Sequence, residues 1–243
     1  MRRIRVFVDE PLAAGASVPL APFAADHLTK VLRLADGAPV VCFNGDGRDY
    51  AGMLELRGKG AATVRLGAGA DVGVESPLAL TLVQAVARGE KMDLILQKAT
   101  ELGVARIVPV LTERTEVKLD DDRAERRVAH WQRVVESACE QCGRARVPMV
   151  EAPLALARYA EGAMHDDGVK LALHPDGEGL DALAGADAMT LAVGPEGGFS
   201  ERDLSILATA GFARLRLGPR VLRTETAGLA AIAALQARFG DFG

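Results

Sequence analysis

Met189-Thr190-Leu191-Ala192-Val193 is an apolar run interrupted only by Thr190, and Gly194-Pro195-Glu196-Gly197-Gly198-Phe199-Ser200 follows it directly. A run of this length bounded by glycine and proline reads as a strand. Apolar side chains at four of its five positions, on both alternating faces, mean that both faces are covered, as in a parallel sheet. Two other short strand candidates also lead into loops bearing glycine and proline. Residues 169–173 lead into His174-Pro175-Asp176-Gly177, and residues 213–217 lead into Gly218-Pro219-Arg220-Val221-Leu222-Arg223-Thr224-Glu225-Thr226. Residues 78–86 and 106–111 are further strand candidates. Between these runs the period becomes helical: 91–102, stopped by Gly103; about 122–142, stopped by Gly143; 200–210; and about 224–239. In the second of these helices Val128, Trp131, Val134, Val135, Ala138 and Cys139 share a stripe, and Asp120, Asp121 and Asp122 suit its positive N-terminal end. Ser200 and Asp203 form a capping-box pattern. Strands alternating with helices predict an α/β domain.

The first seventy or so residues follow another pattern. Val6 and Val8, then 39–43, 50–56 and 62–66, are short strand candidates parted by Asn44-Gly45-Asp46-Gly47 and Gly58-Lys59-Gly60. Leu28, Val31, Leu32 and Leu34 recur at helical spacing before Gly37. Several short strands with one helix predict a small barrel. Gly67-Ala68-Gly69-Ala70-Asp71 and Glu75-Ser76-Pro77 read as a linker, which gives two domains, 1–72 and 73–243.

An apolar share of 49% with 26% charged residues predicts a folded chain rather than a disordered one. The net charge of −4 argues against a protein that grips polyanions through bulk attraction, so any nucleic acid must be caught by a local basic patch. Cys42, Cys139 and Cys142 are too few for a disulfide framework, and the CxxC pair at 139 and 142 lacks two further ligands at zinc-site spacing. No metal is expected. The apolar stretch after Arg5 is too short for an export signal. No run approaches the 18 or so apolar residues of a membrane span, so a cytoplasmic enzyme is expected.

Ligands of parallel α/β sheets bind beyond the carboxyl ends of the strands, where three unusual loops follow three strands here. The loop at Gly194 is neither a dinucleotide fingerprint nor a phosphate loop. Taken together, Gly194-Pro195-Glu196-Gly197-Gly198 and residues 217–227 closely resemble the RsmE-type ribosomal RNA uridine-N3 methyltransferases of the SPOUT superfamily. Asp26-His27-Leu28 with Val31-Leu32-Arg33, Lys98-Ala99-Thr100-Glu101-Leu102-Gly103-Val104, residues 109–115 and residues 138–144 agree with that family's other motifs. The resemblance covers nearly the whole chain.

The resemblance implies a PUA-like RNA-binding barrel followed by a trefoil-knotted SPOUT methyltransferase domain that works as a homodimer. It implies S-adenosylmethionine as cofactor and small-subunit ribosomal RNA, or the small ribosomal subunit, as partner. Leu173, Gly194, Pro195, Glu196, Gly197, Gly198, Leu217, Gly218 and Leu222 would wall the cofactor. Thr224 would touch it or cap the last helix. Arg114, Arg220 and Glu225 are the catalytic candidates, with Arg223 a further cation and Glu196 or Glu140 alternative proton acceptors. Arg2, Arg3, Arg5, Lys30, Arg33, Lys91 and Arg144 would hold RNA. A non-catalytic RNA-binding factor on the same fold, or an enzyme acting on another RNA, remain the alternative readings.

Overall fold

The structure, a computed structural model, describes residues 3–58, 60–117 and 121–243. Arg2, Lys59 of the expected turn, and Asp120 lie outside the described residues. The chain divides into two compact units, residues 1–75 with 136–147 and residues 76–135 with 148–243.

The first unit holds strands β1 (Arg5–Phe7), β2 (Ser17–Pro19), β3 (Pro39–Phe43), β4 (Arg48–Arg57) and β5 (Ala61–Asp71) in the order β1-β3-β4-β5-β2. β1 runs parallel to β3, and the other pairs are antiparallel. Among the described residues β1 and β2 share no ladder, so the expected barrel is an open order of five strands. Its core contains Val6, Val8, Val18, Leu28, Val40, Leu54, Val64 and Leu66. The expected helix around Leu28 is a short α1 (Pro22–Asp26) that widens into a π-helical turn at His27–Val31, and Arg33 then takes a positive φ of 53°.

Of the stretch expected as linker, 67–71 with 75–77, the structure corrects the first part. Those residues extend β5, and Asp71 pairs with Arg48. The glycines serve packing here: a Cβ at Gly69 would meet the Tyr50 ring at 2.6 Å. The two compact units divide between Glu75 and Ser76, within the second part of the expected linker. Residues 136–147, read as part of the second domain, cluster with the first unit. Cys139 and Ala145 bury against Phe43, with Phe7, Val72 and Val147 packed on them. Burial pushes the Cys139 thiol up to about 12, so Cys139 is not poised for thiolate chemistry.

Glu140 is half-buried in this unit and accepts a hydrogen bond from the Phe7 N–H at 3.0 Å. Burial raises its pKa, and the Phe7 N–H, His27 and Arg5 offset this only in part. A folded state that keeps the proton longer than the unfolded chain loses stability as pH rises through that window. The cost is fully present above the raised value. Glu140→Gln keeps the acceptor and removes the charge. It is expected to raise the melting temperature by about 2 °C near pH 8, with the gain vanishing in acid. Thermal melts across pH check this, and a constant difference at every pH would rule it out.

The second unit is a purely parallel sheet of β6 (Ala79–Ala85), β7 (Arg106–Leu111), β8 (Met149–Val150), β9 (Leu154–Ala155), β10 (Val169–Glu178), β11 (Ala188–Val193) and β12 (Ala213–Leu215). The order is β12-β10-β11-β6-β7-β8, with β9 also on β7. Helices α2 (Glu90–Glu101), α3 (Asp121–Cys142), α4 (Leu156–Ala163), α5 (Glu201–Thr209) and α6 (Thr224–Phe239) complete the chain's elements. One sheet face, with Val83, Ala85, Val108, Val110, Ala172 and Ala192, packs against Leu156, Tyr159 and Ala160 of α4 and Leu204 and Leu207 of α5. By strand alternation Leu82 and Gln84 point to the opposite face. On that face Gly228 of α6 packs over Gln84 and Val193.

Local signals in this unit behave as the sequence indicates. Ser200 and Asp203 cap α5 reciprocally, and Gly103 follows α2 at positive φ. The strand order reverses direction between β6 and β11, so the loops leaving these strands flank a topological switch point.

Candidate cofactor and active site

Three neighbouring strands, β10, β11 and β12, run the same way, so the segments leaving them emerge on one edge. There they enclose a cavity of about 620 Å³, a size suited to a nucleoside-sized ligand. Leu173, Val193, Leu215, Leu217, Leu222 and Ala227 give it an apolar wall, and glycine-rich backbone gives it a polar one.

β10 supplies its share through a register break. Leu173 and Glu178 both pair with Leu215, so the intervening residues leave the ladder and return. This excursion puts His174 and Pro175 on the cavity wall. The Asp176 N–H donates to His174 Nδ1 at 3.2 Å, which leaves the proton of the neutral ring on Nε2.

The loop after β11 turns sharply, with the Gly198 N–H donating to the Pro195 carbonyl at 2.9 Å and Gly198 at φ 68°. A Cβ at Gly194 would lie 3.0 Å from the Phe199 nitrogen, so the loop folds back on itself only with glycine there. Arg114 crosses the loop and donates from Nη1 to the Gly197 carbonyl at 2.8 Å. Glu196 accepts from the Arg88 N–H at 3.2 Å and from Lys91 Nζ at 3.1 Å. Partial burial pushes the Glu196 pKa up. The hydrogen bonds from its own N–H, Arg88 and Lys91 outweigh that, so the group titrates below the usual carboxylate range.

The third segment, 216–223, carries Arg216, Leu217, Gly218, Pro219, Arg220, Val221 and Leu222 along the cavity. The N-cap of α6 is Arg223, not Thr224. The Thr224 hydroxyl instead donates to the Gly194 carbonyl at 2.6 Å and ties this segment to the loop after β11.

The ten residues expected to wall the cofactor, Leu173, 194–198, Leu217, Gly218, Leu222 and Thr224, all line this one cavity. Arg114 and Arg220 line it too. Arg114 is committed to the loop carbonyls, whereas Arg220 is exposed and makes no ion pair or hydrogen bond with any described residue. Glu225 is not on the wall. One of its carboxylate oxygens is buried without a hydrogen bond and sits 4.0 Å from Lys91 Nζ. Glu140 belongs to the first unit, where it accepts from the Phe7 N–H, and it is not among the residues lining the cavity. Sequence reasoning missed His174, although a histidine directly after a strand is a signal that could have found it. It also missed Gln84, which an apolar run concealed.

The basic residues separate by burial. Arg5 donates to the Cys139 carbonyl at 2.5 Å and to Asp49 at 2.6 Å, and its guanidinium lies 4.3 Å from the centre of the Phe43 ring. Arg144 is buried against Glu75 at 2.7 Å. Both were expected to hold RNA, and both are corrected to internal ion pairs, because desolvated, partnered guanidinium groups offer no face to a phosphate. Lys91 is tied to Glu196, and Lys30 pairs with Asp26 on an exposed face. Arg3 and Arg33 are exposed. Among the described residues no cluster of acidic, histidine or cysteine side chains is arranged to hold a metal, and no helix is long and apolar enough to cross a membrane.

Comparison with known proteins agrees with this architecture. The RNA methyltransferase domain family matches residues 74–236, and the RNA methyltransferase PUA domain family matches residues 24–67. A ribosomal RNA small subunit methyltransferase E from Synechocystis is 33% identical over 91% of this chain and 73% of its own length. The protein of that name from Buchnera aphidicola (strain Sg) is 30% identical over 98% of this chain and 97% of its own. Among solved structures, a Legionella pneumophila methyltransferase in complex with bound SAM superposes with a TM-score of 0.95 at 37% identity, covering 99% of this chain and all of its own. The Neisseria gonorrhoeae ribosomal RNA small subunit methyltransferase E bound to S-adenosyl methionine gives 0.89 at 37% identity over the same share of each chain. With its sheet order, its three-segment cavity and these relatives in agreement, the chain belongs to the ribosomal RNA small subunit methyltransferase E family.

Proposed function

We propose that this protein transfers the methyl group of S-adenosylmethionine to N3 of one uridine in small-subunit ribosomal RNA, on the assembled subunit. The observation that carries the reading is the single cavity formed by the segments leaving β10, β11 and β12. The residues present fit the cofactor. Glycines at 194, 197, 198 and 218 let backbone groups approach an adenine edge, and Leu217 and Leu222 offer apolar surface to the ring. When bound, the cofactor supplies an activated methyl group on a sulfonium, so no metal is needed.

The protein's own part is alignment and charge control. Arg114 holds the glycine loop by its carbonyls and is a positioning residue in this reading. Uracil N3 carries a proton, so the anion formed on its loss needs a cation, and Arg220 is the exposed candidate on the cavity wall. Of the three carboxylates considered as proton acceptor, Glu196 alone lines the cavity. Arg3, Lys30 and Arg33 on the first unit would meet RNA phosphates.

The same reading includes a trefoil knot, supported by the return of α6 to the middle of the sheet, over Gln84 and Val193, after β12 has formed its edge. It also includes a homodimer in the cytoplasm. Labelled methyl transfer to small subunits lacking the modification, with the product nucleoside identified by mass spectrometry, tests the proposal. N3-methyluridine is the expected product. Absence of label from subunits and naked small-subunit RNA, with cofactor binding intact, would move the substrate to another RNA.

A further inference from the structure

Among the described residues, Gln84 is the one fully buried polar side chain within the strands of the parallel sheet that no step above uses. It is the penultimate residue of β6 and stands beside Val193 of β11 across the switch point. Its amide nitrogen donates to the Ala85 carbonyl at 2.9 Å and to the Thr224 hydroxyl at 3.2 Å. That hydroxyl donates to the Gly194 carbonyl at 2.6 Å. The direction of the chain of hydrogen bonds is fixed by elimination. The Gly194 carbonyl can only accept, so the threonine proton is committed to it, and Gln84 must supply a proton to the threonine oxygen.

We propose that Gln84 is a positioning residue for the cofactor site, holding the Gly194 carbonyl and the start of α6 in register through Thr224. Gly194 and Thr224 line the cavity, and Gln84 does not, so it acts through them. One buried side chain thus joins the end of β6, the loop after β11 and the first turn of α6. Its carbonyl oxygen is buried without a donor. That is an unfavourable arrangement, which a purely apolar residue at the same position would avoid. Gly228 of α6 sits directly over this group: a Cβ there would be in ordinary contact, 3.7 Å from the Gln84 oxygen and 3.4 Å from Val193. α6 therefore lies close over the glutamine and seals it from water, where a hydrogen bond fixes position most firmly.

The inference rests on the cavity being the S-adenosylmethionine site, and the experiment separates the two. Cofactor affinity is measured by calorimetry, beside melting temperature, for wild type, Gln84→Met, Thr224→Val and the double variant. Wild type is expected to bind. Gln84→Met is expected to weaken binding about tenfold, with a raised cofactor KM and a smaller change in kcat, because the lost hydrogen bond orders a binding loop. The double variant should bind no more weakly than Thr224→Val, since both substitutions cut one relay. If Gln84→Met does not melt cooperatively, Gln84→Leu takes its place.

A wild type that binds no cofactor would overturn the site reading and this inference together. Binding by wild type with unchanged affinity in the Gln84 variants, or with effects that add to those of Thr224→Val, would overturn the inference alone. A lowered melting temperature with unchanged affinity would do the same, as it marks a packing role.

Discussion

Arg220→Ala is expected to lower methyl-transfer turnover by about 10²-fold while leaving the fold and cofactor affinity close to wild type. Arg220 lies on the cavity wall in the 216–223 segment and has no hydrogen bond or ion pair with any described residue. Removing it therefore breaks no internal contact, and the melting temperature should hold. A cation that stays unpaired beside an apolar cavity is free to meet negative charge that appears only when the uracil loses its N3 proton. An interaction made chiefly in the transition state reduces kcat and kcat/KM together. Arg220→Lys keeps the charge but loses the planar fork, and should recover only part of the rate. Single-turnover kinetics with saturating cofactor measure the effect. A kcat within roughly twofold of wild type would remove Arg220 from the chemistry.

Gly177→Ala should cost stability and cofactor binding together. The residue sits where β10 returns to the ladder after its excursion, and a Cβ there would lie 2.6 Å from the carbonyl carbon and oxygen of Arg214 and 2.7 Å from that of Leu215. These are backbone atoms of β12, which cannot rotate away as a side chain can. Overpacking of this kind is expected to cost about 3 kcal/mol. That corresponds to a fall of roughly 6–12 °C in melting temperature for a chain of this length. Relief by pushing the excursion outward would displace Leu173, His174 and Pro175, all on the cavity wall. Gly179→Ala is the control, because nothing lies within 4 Å of a Cβ there. Differential scanning calorimetry of both variants decides the matter, and equal melting temperatures would refute the backbone-contact argument.

Much of the site was legible because its signals are local. Glycine and proline at strand ends mark turns whatever surrounds them, and the 194–198 and 217–224 stretches carry enough specific residues to identify their family. Capping works the same way. Ser200 and Asp203 satisfy each other within one helical turn, so their pattern survives folding unchanged. Buried strands such as 189–193 announce themselves by a mostly apolar run, since both of their faces meet other protein.

What the sequence could not rank was charge. Arg5, Arg144 and Lys91 look in sequence like Arg3 or Arg33. Arg5 and Arg144 are distinguished only by partners 134 and 69 residues away, the Cys139 carbonyl and Glu75. Residues 67–71 mislead for a related reason. Glycine usually breaks a strand, but here it lets β5 pass the Tyr50 ring, a contact that exists only after β4 and β5 pair. Gln84 is the sharpest case. Within an apolar run it reads as a blemish, and only folding brings Thr224 to it from 140 residues along the chain. By itself, then, the sequence determined the α/β class, the strand-end loops and the family, because periodicity and turn chemistry act over a few residues. The tertiary structure alone decided which cations face solvent, how residues 136–147 join the first unit, and which buried amide meets the Thr224 hydroxyl. Those outcomes depend on desolvation and long-range pairing, which neighbouring residues do not encode.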